Sequence, residues 1–596
     1  MPDPQGEVDA AVADNLNTPA DPDHRTDSPV DTLDAPRFGR AGVLVTRGKR
    51  FARIGTESAW TWSDHFAVWS EMVRVRFFPS RVLAGQMQPD DDDPDDWRFL
   101  RKPAVLGFVA LVAIAFGASF PSSPFKLEMA NTWFFGEPAA QGASESFVLL
   151  GLVSTYGGLL LLMRVWYGLM KALARRPGVP IRYLTWILVL WLIPMLVVAP
   201  LFSRDVFSYA AQGEMMSRHI NPYNYGPFTL GAGPYPNPVD PLWGNTPAPY
   251  GPLFLMVDGF FASASLHHEL VTVVLLRLLA LAGVALIAFC IPKLATLYNR
   301  DAGPIYVLAV LNPLVLLTLV GGAHNDAIMV GLLIAGVTAA KYKHPVLGII
   351  LCALAAAVKV PAALGVVYIA WEWLGTGVPV RQRIRPLVTA GLIAGAVMGV
   401  LSVVSGLGVG WVANLATPGT VRSWLAPATG IGMGFSGLAH TVGINVSLGG
   451  VLSVTRLLGL AAAVGASIYL LAVSDRIGGL KALGLSLLLF VVLGPVVQPW
   501  YLTWGIVLLA PVVMGRLRSV LIVVSVVCPF IGLPGGRRLL DELIHANPLA
   551  VAAALLVLLG VLIAPLGHWS TAWRDDQVAS ELDDPDDSIP TPALGT

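Results

Sequence analysis

Residues 183–209 read YLTWILVLWLIPMLVVAPLFSRDVFSY, and the fold class turns on them. From Tyr183 to Leu201 no side chain is charged, and a membrane-spanning α-helix needs about 20 residues of that kind. Ser203, Arg204 and Asp205 follow at once, so the chain leaves the apolar run with a cation and a carboxylate at its exit. Working outward, comparable runs occupy 103–120, 147–169, 270–292, 304–320, 326–340, 387–406, 450–473, 482–497, 502–515, 519–534 and 548–566. The chain is therefore predicted to be an all-α, polytopic integral membrane protein of about 13–14 transmembrane or re-entrant helices.

Composition agrees. Of 596 residues, 55% are hydrophobic and 13% charged, where a soluble domain carries about 25% charged residues. The net charge of +0 gives no global field for nucleic acid, and none is expected as a partner. Cys290, Cys352 and Cys528 each lie in or against an apolar run, which excludes a disulfide framework and a cysteine zinc site. Residues 1–40 lack the apolar core of a signal peptide. The region 1–96 is predicted to be a cytoplasmic N-terminal region, disordered at both ends, whose middle mixes Trp60, Trp62 and Trp69 with Arg50, Arg53, Arg74 and Arg76. That middle reads either as an amphipathic membrane-surface segment or as a loose tail. Residues 97–570 form the transmembrane domain, and 571–596 a disordered cytoplasmic tail.

Cytoplasmic loops concentrate Lys and Arg. Arg98, Arg101 and Lys102, then Lys171, Arg175, Arg176 and Arg182, then Lys293 and Arg300, then Lys341 and Lys343, then Arg381, Arg383 and Arg385 mark that side. Both termini fall there, while Asp205 and the loop 202–252 fall on the outer side; Arg537 and Arg538 are the dissenting pair. Pro252–Ala264 is too short to span and reads as interfacial or re-entrant. Residues 345–375 begin and end on the cytoplasmic side, with Pro361 breaking them near the middle, which lifts Lys359 toward the outer apex.

By the same parity His324, Asn325 and Asp326 reach the depth of Asp205, as does Trp500 of the Gln498-Pro499-Trp500-Tyr501 turn. Ionisable side chains at the ends of apolar helices are functional candidates; each one taken singly also reads as a snorkelling or capping residue. Ser203 is expected to cap a surface helix whose polar face carries Asp205, Ser208, Tyr209, Gln212 and His219. Arg204 is expected to reach another face. A cation such as Lys359 or a protonated His324 suits a lipid-linked phosphate, and an outward carboxylate suits proton abstraction from a sugar hydroxyl. Tyr223, Tyr225, Tyr235, Trp243 and Tyr250, in a loop stiffened by proline, suit stacking on a sugar ring or an interfacial aromatic belt.

Four motifs in order carry a resemblance: Ser203-Arg204-Asp205-Val206-Phe207-Ser208-Tyr209, Asn221-Pro222-Tyr223, Thr246-Pro247-Ala248-Pro249-Tyr250-Gly251-Pro252-Leu253, and Gly322-Ala323-His324-Asn325-Asp326-Ala327. Over roughly residues 100 to 570 the chain resembles the actinobacterial polyprenyl-phosphomannose-dependent α-(1→6)-mannopyranosyltransferases, of the glycosyltransferase-C class. The resemblance implies a multi-pass plasma-membrane enzyme acting on the extracytoplasmic side. Its donor would be polyprenyl-phosphate-mannose, and its acceptor the α-(1→6)-mannan of lipomannan and lipoarabinomannan or a phosphatidylinositol mannoside. It also implies an inverting mechanism with Asp205 as the base. The candidate donor- and acceptor-binding residues are Arg204, Tyr209, Tyr250, His324, Asn325, Asp326, Lys359 and Trp500; no cofactor is required, and a divalent metal is left open. The alternatives are a transporter of a lipid-linked sugar, with Asp205, Asp326 and Lys359 as coupling charges, or a related enzyme of this class using another sugar.

Overall fold

A computed structural model describes residues 97–119, 145–531, 533 and 548–563, and among these the regular structure is helical, with no strand. The expectations for 1–96, 571–596, Arg537 and Arg538 fall outside the described residues. Five helices there are long and apolar enough to cross a bilayer: α1 (Arg101–Ser119, preceded by a 3₁₀ turn from Trp97), α2 (Glu145–Arg175), α6 (Glu269–Leu297), α11 (Val380–Val404) and α13 (Leu448–Ala472). Shorter apolar helices fill the rest, as expected of a protein whose interior helices need not each span. Between α2 and α6 lie α3 (Ile181–Val197), α4 (Asp205–Ser217) and α5 (Pro252–Ala264).

After α6 the sequence reading needs correction. The run 304–320 is not one helix: α7 ends at Ala309, having begun at Ala302, and a π-helical turn, Val315–Gly321, follows. Pro313 is the physical reason, since it offers no N–H to the preceding turn. Asn312 repairs the break by accepting from the Leu314 N–H at 2.9 Å and donating to the Leu308 carbonyl and Ser525 Oγ, each at 2.8 Å. The π turn then meets α8 (Asp326–Lys341) at a bend of 114°. The excursion at 345–375 is present as α9 (Pro345–Ala356), a turn containing Lys359 and Pro361, and α10 (Ala363–Glu372). Beyond α11, the loop expected between 406 and 450 contains a further helix, α12 (Pro427–Thr441). After α13 come α14 (Gly479–Val492), α15 (Thr503–Leu509), α16 (Gly515–Ile531) and α17 (Pro548–Ile563).

Small residues set the helix spacing around the bend. A Cβ at Gly283 of α6 would enter the Ala327 backbone, and one at Gly331 of α8 would lie 2.6 Å from the Gly283 carbonyl oxygen. Close backbone approach of this kind is how apolar helices gain packing energy in lipid. One buried cation locks the same region. Arg277 of α6, 2% exposed, donates to the carbonyls of Leu196 and Val198 at the end of α3 and to that of Gly321 at the end of the π turn. The Leu201 N–H also donates to Gly321 O at 2.9 Å. Carbonyls at helix ends carry partial negative charge, so a guanidinium satisfies both their hydrogen bonding and their field.

Arg277→Met would leave the carbonyls of Leu196 and Val198 short of a donor, at about 1–3 kcal/mol for each group left unsatisfied, while that of Gly321 keeps the Leu201 N–H. The expected outcome is a melting temperature in detergent several degrees lower. Arg277→Lys should recover only part of the loss, because an ammonium cannot span three acceptors with a planar fork. Thermal unfolding followed by intrinsic fluorescence checks both.

Candidate active site

Two turns converge beneath the Arg277 clasp, and each begins with a non-glycine residue in the left-handed region. Phe202 (φ 61°) precedes Ser203-Arg204-Asp205, and Ala323 (φ 53°) precedes His324-Asn325-Asp326. Such conformations cost on the order of 1–3 kcal/mol and persist where the surroundings over-determine them, commonly at functional sites. Their effect here is to turn Asp205 and His324 toward each other: His324 Nδ1 lies 3.6 Å from Asp205 Oδ2.

Asp205 opens α4. Ser203 Oγ accepts its backbone N–H at 3.2 Å, which is the capping role expected of Ser203, although Arg204 holds the formal cap position. The carboxylate keeps 20% of its side-chain surface open. Burial pushes it up to about 6, with the charge of Asp326 acting in the same direction and Lys359 opposing. A carboxylate with that affinity for protons is ionised near neutral pH and basic enough to take a proton in a transition state.

The helix it opens is not the surface helix that the polar face predicted. Every residue from Val206 to Met215 is buried, and His219 lies beyond the helix, exposed, in a left-handed turn. The reason is α5: a Cβ at Gly213 would enter the Asp258 backbone, so the two helices touch along the face expected to meet water. Arg204 likewise serves the loop. It donates to the carbonyls of Asn237, Pro238 and Val239, at 2.7 Å to Pro238, and so pins the extended segment against the start of α4.

Lys359 does not stand as a lone cation. Its ammonium donates to both oxygens of Asp326 at 2.9 Å, and Trp504 Nε1 donates to Asp326 Oδ1 at 2.6 Å. Asp326 is fully buried and Lys359 nearly so, with the rings of Tyr501 at 4.4 Å, Trp504 at 5.5 Å and Tyr250 at 5.9 Å from its nitrogen. This is a boxed ion pair, with one ammonium proton left over. Trp500 stacks on His324 with ring centroids 3.9 Å apart, which makes His324 part of a packed wall rather than a solvated imidazolium. Tyr209, Tyr250 and Phe254 meet edge to face at 5.1–5.5 Å and form the opposite aromatic wall.

Asn325 carries the least expected feature. It is 3% exposed, yet neither its amide nitrogen nor its oxygen has a partner, and His324 Nδ1, Ser208 Oγ and Gln212 Oε1 are in the same condition. Buried polar atoms left unpaired cost about 1–3 kcal/mol each, so those on the His324-Asn325 turn and on α4, the helix that Asp205 opens, mark a place suited to a polar ligand. Among the described residues no three His, Cys, Asp or Glu side chains are grouped for a metal ion. Two loop rings expected to meet sugar are used otherwise: Tyr223 OH donates to the Tyr250 carbonyl and Tyr235 OH bonds Thr272 Oγ1, each at 2.9 Å.

Sequence reasoning missed Trp504 and Arg277. Trp504 gave no signal, being an apolar residue in an apolar run, but Arg277 is the single charge between Leu270 and Pro292 and was legible as such.

Two family models and several relatives match the chain. Residues 104–375, which contain Asp205, His324, Asp326 and Lys359, match the family model described as α-(1→6)-mannopyranosyltransferase, N-terminal domain. Residues 428–563, with Trp500 and Trp504, match the MptB C-terminal domain. A probable α-(1→6)-mannopyranosyltransferase of Mycolicibacterium smegmatis is 35% identical over 63% of this chain and 73% of its own length. α-(1→6)-Mannopyranosyltransferase A of Mycobacterium tuberculosis is 34% identical over 55% of this chain and 65% of its own. α-(1→6)-Mannopyranosyltransferase B of Corynebacterium glutamicum is 30% identical over 54% and 57%. No solved structure matches the chain. Helical architecture and matches together make this a membrane-embedded glycosyltransferase. More narrowly, the chain belongs to the α-(1→6)-mannopyranosyltransferase family, which favours an enzyme over the transporter alternative.

Lys359→Met would leave Asp326 buried and without its cation, a change that costs about 3–5 kcal/mol when a buried pair is broken from one side. We expect a marked fall in melting temperature, whereas the double variant Lys359→Met with Asp326→Leu should recover part of it. A double-mutant cycle on thermal stability checks the coupling.

Proposed function

We propose that this enzyme transfers mannose from polyprenyl-phosphate-mannose to an α-(1→6)-mannan acceptor, with inversion, on the outer face of the plasma membrane. The observation that carries this reading is Asp205: a partly open carboxylate raised to about 6, at the meeting of two strained turns, with unpaired polar atoms on the His324-Asn325 turn and on the helix that Asp205 opens. In the step we assign, the acceptor 6-hydroxyl oxygen attacks the anomeric carbon while the bond from that carbon to the phosphate oxygen breaks. The hydroxyl proton goes to Asp205, and polyprenyl phosphate leaves with the bonding electrons.

One displacement with one base suits the neighbouring carboxylate's condition. Asp326, held by Lys359 and Trp504, has no free oxygen with which to form a glycosyl intermediate. Negative charge that accumulates on the leaving phosphate is met by the remaining Lys359 proton and by the amide of Asn325, in a site where water is scarce and such donors count for more. Tyr250, partly exposed, offers a ring face for sugar, with the buried rings of Tyr209 and Trp500 in the two walls of the site.

The outer-face assignment rests on charge. Lys341 pairs with Glu372, Arg383 with Asp475, and Glu372 accepts from the Gly479 N–H, so the ends of α8, α10, α11, α13 and α14 that carry the basic residues lie together. Cytoplasmic ends concentrate Lys and Arg, and the Asp205 turn belongs to the other end of α8. The acceptor is read as the backbone of lipomannan and lipoarabinomannan or its phosphatidylinositol mannoside precursor. Residues 97–570 are assigned to the catalytic domain, with 1–96 and 571–596 as cytoplasmic flanks.

Membranes holding the full chain, radiolabelled polyprenyl-phosphate-mannose and a short α-(1→6)-mannoside should yield a longer oligosaccharide. Asp205→Asn is expected to lower kcat/KM by about 10²–10⁴ while leaving the melting temperature nearly unchanged. In the wild type the active form is the ionised carboxylate, so kcat/KM should fall about tenfold per pH unit below the value of about 6 and level off above it. Near-full turnover by Asp205→Asn would remove Asp205 as the base.

A further inference from the structure

Far from Asp205, at the end of the molecule marked by basic residues, a cleft of about 740 Å³ opens between the end of α10 and the start of α11. Trp373, Leu374, Arg381, Gln382, Arg385 and Pro386 line it. Arg381 and Arg385 are both exposed, one helical turn apart, and neither makes a hydrogen bond or an ion pair with any described residue. The carboxylates that might have neutralised them are engaged: Glu372 with Lys341 and the Gly479 N–H, Asp475 with Arg383 and the Gly377 N–H. The first turn of α11 contains no acidic residue.

The helix also presents an apolar ridge beside the basic one. Val380, Ile384, Val388 and Leu392 recur at every fourth position and are 62%, 52%, 56% and 70% exposed, continuing along a helix of spanning length. A ligand that fits both ridges carries an anionic head for the two guanidinium groups and a long apolar body for the stripe. Trp373 at the cleft wall is the residue type that settles where lipid meets water.

We propose that this cleft binds the headgroup of an anionic phospholipid from the surrounding leaflet, with an acyl chain laid along the exposed ridge of α11. Guanidinium groups match phosphate oxygens in a planar fork, and cations at a membrane surface contribute about 1 kcal/mol each toward anionic lipid. The two free arginines thus select for charge while the apolar ridge selects for a lipid over a soluble phosphate. The site is separate from the Asp205 chemistry and does not depend on the donor or acceptor assigned above.

Native mass spectrometry of the full chain, titrated with phosphatidylglycerol or with phosphatidylcholine of the same acyl chains, tests this. The wild type should retain one phosphatidylglycerol in preference to phosphatidylcholine, and R381Q/R385Q should lower that retention about tenfold or more. R381K/R385K should keep part of it. R476Q/K481Q, which removes as much charge from the same end outside the cleft, should leave it unchanged. Inorganic phosphate in millimolar excess should fail to displace the lipid. A monodisperse R381Q/R385Q protein with undiminished retention overturns the proposal, as does an equal loss in R476Q/K481Q, which would reveal a diffuse charge effect. Displacement by inorganic phosphate also overturns it, in favour of a soluble anion. Should the double variant fail to fold, R385Q alone carries the same comparison with a smaller expected loss.

Discussion

Everything at the active site hangs from one buried guanidinium. Arg277 reaches from a long apolar helix to the carbonyls of Leu196, Val198 and Gly321, and by doing so brings together two chain segments far apart in sequence. Those segments are the ones that continue into Ser203-Arg204-Asp205 and His324-Asn325-Asp326. In an apolar surround a helix end without a donor is costly, and so is a cation without an acceptor; pairing the two relieves both. The left-handed conformations of Phe202 and Ala323 are tolerable because the backbone on the upstream side of each is held in this way.

With the turns fixed, the chemistry of the two carboxylates diverges. Asp326 is closed off by Lys359 and Trp504 and acts as a fixed counter-charge, whereas Asp205 keeps an open edge and a raised affinity for protons. Two like groups thus sit in different environments, one closed and paired and the other with the open edge that the proposed base requires. Lys359 matters to both, because the charge that it contributes to Asp326 also holds down the rise at Asp205.

The short helices follow from the same economy. Irregular backbone in an apolar surround needs enclosure by protein, and every residue of the π turn at Val315–Gly321 is buried. Helices such as α7, α9, α10 and α15 are short, and the long helices, α11 and α13 above all, are left exposed to meet the surroundings.

Much of this was legible in order along the chain. The apolar runs were read close to where the helices lie, the break within 345–375 was foretold by Pro361, and four short motifs were enough to name a family. The depth shared by Asp205, His324, Asp326 and Lys359 followed from charge parity alone. What the runs concealed was interruption: Pro313 within 304–320, the helix Pro427–Thr441 in an expected loop, and the burial of α4 on the side where Ser208 and Gln212 promised water. Periodicity reports how a helix divides its own residues, and it says nothing about a second helix laid over the polar side.

By itself, then, the sequence determined the helical class, the solvent the helices require and the set of polar residues gathered at one level, since hydropathy and charge are properties of a residue and its near neighbours. Only the tertiary structure decided which of those residues are spent on each other. That Arg204 serves a loop, that Lys359 is paired, that Trp504 meets Asp326 and that Asp205 keeps an open edge are facts of distance between segments remote in the chain, and distance is set by packing.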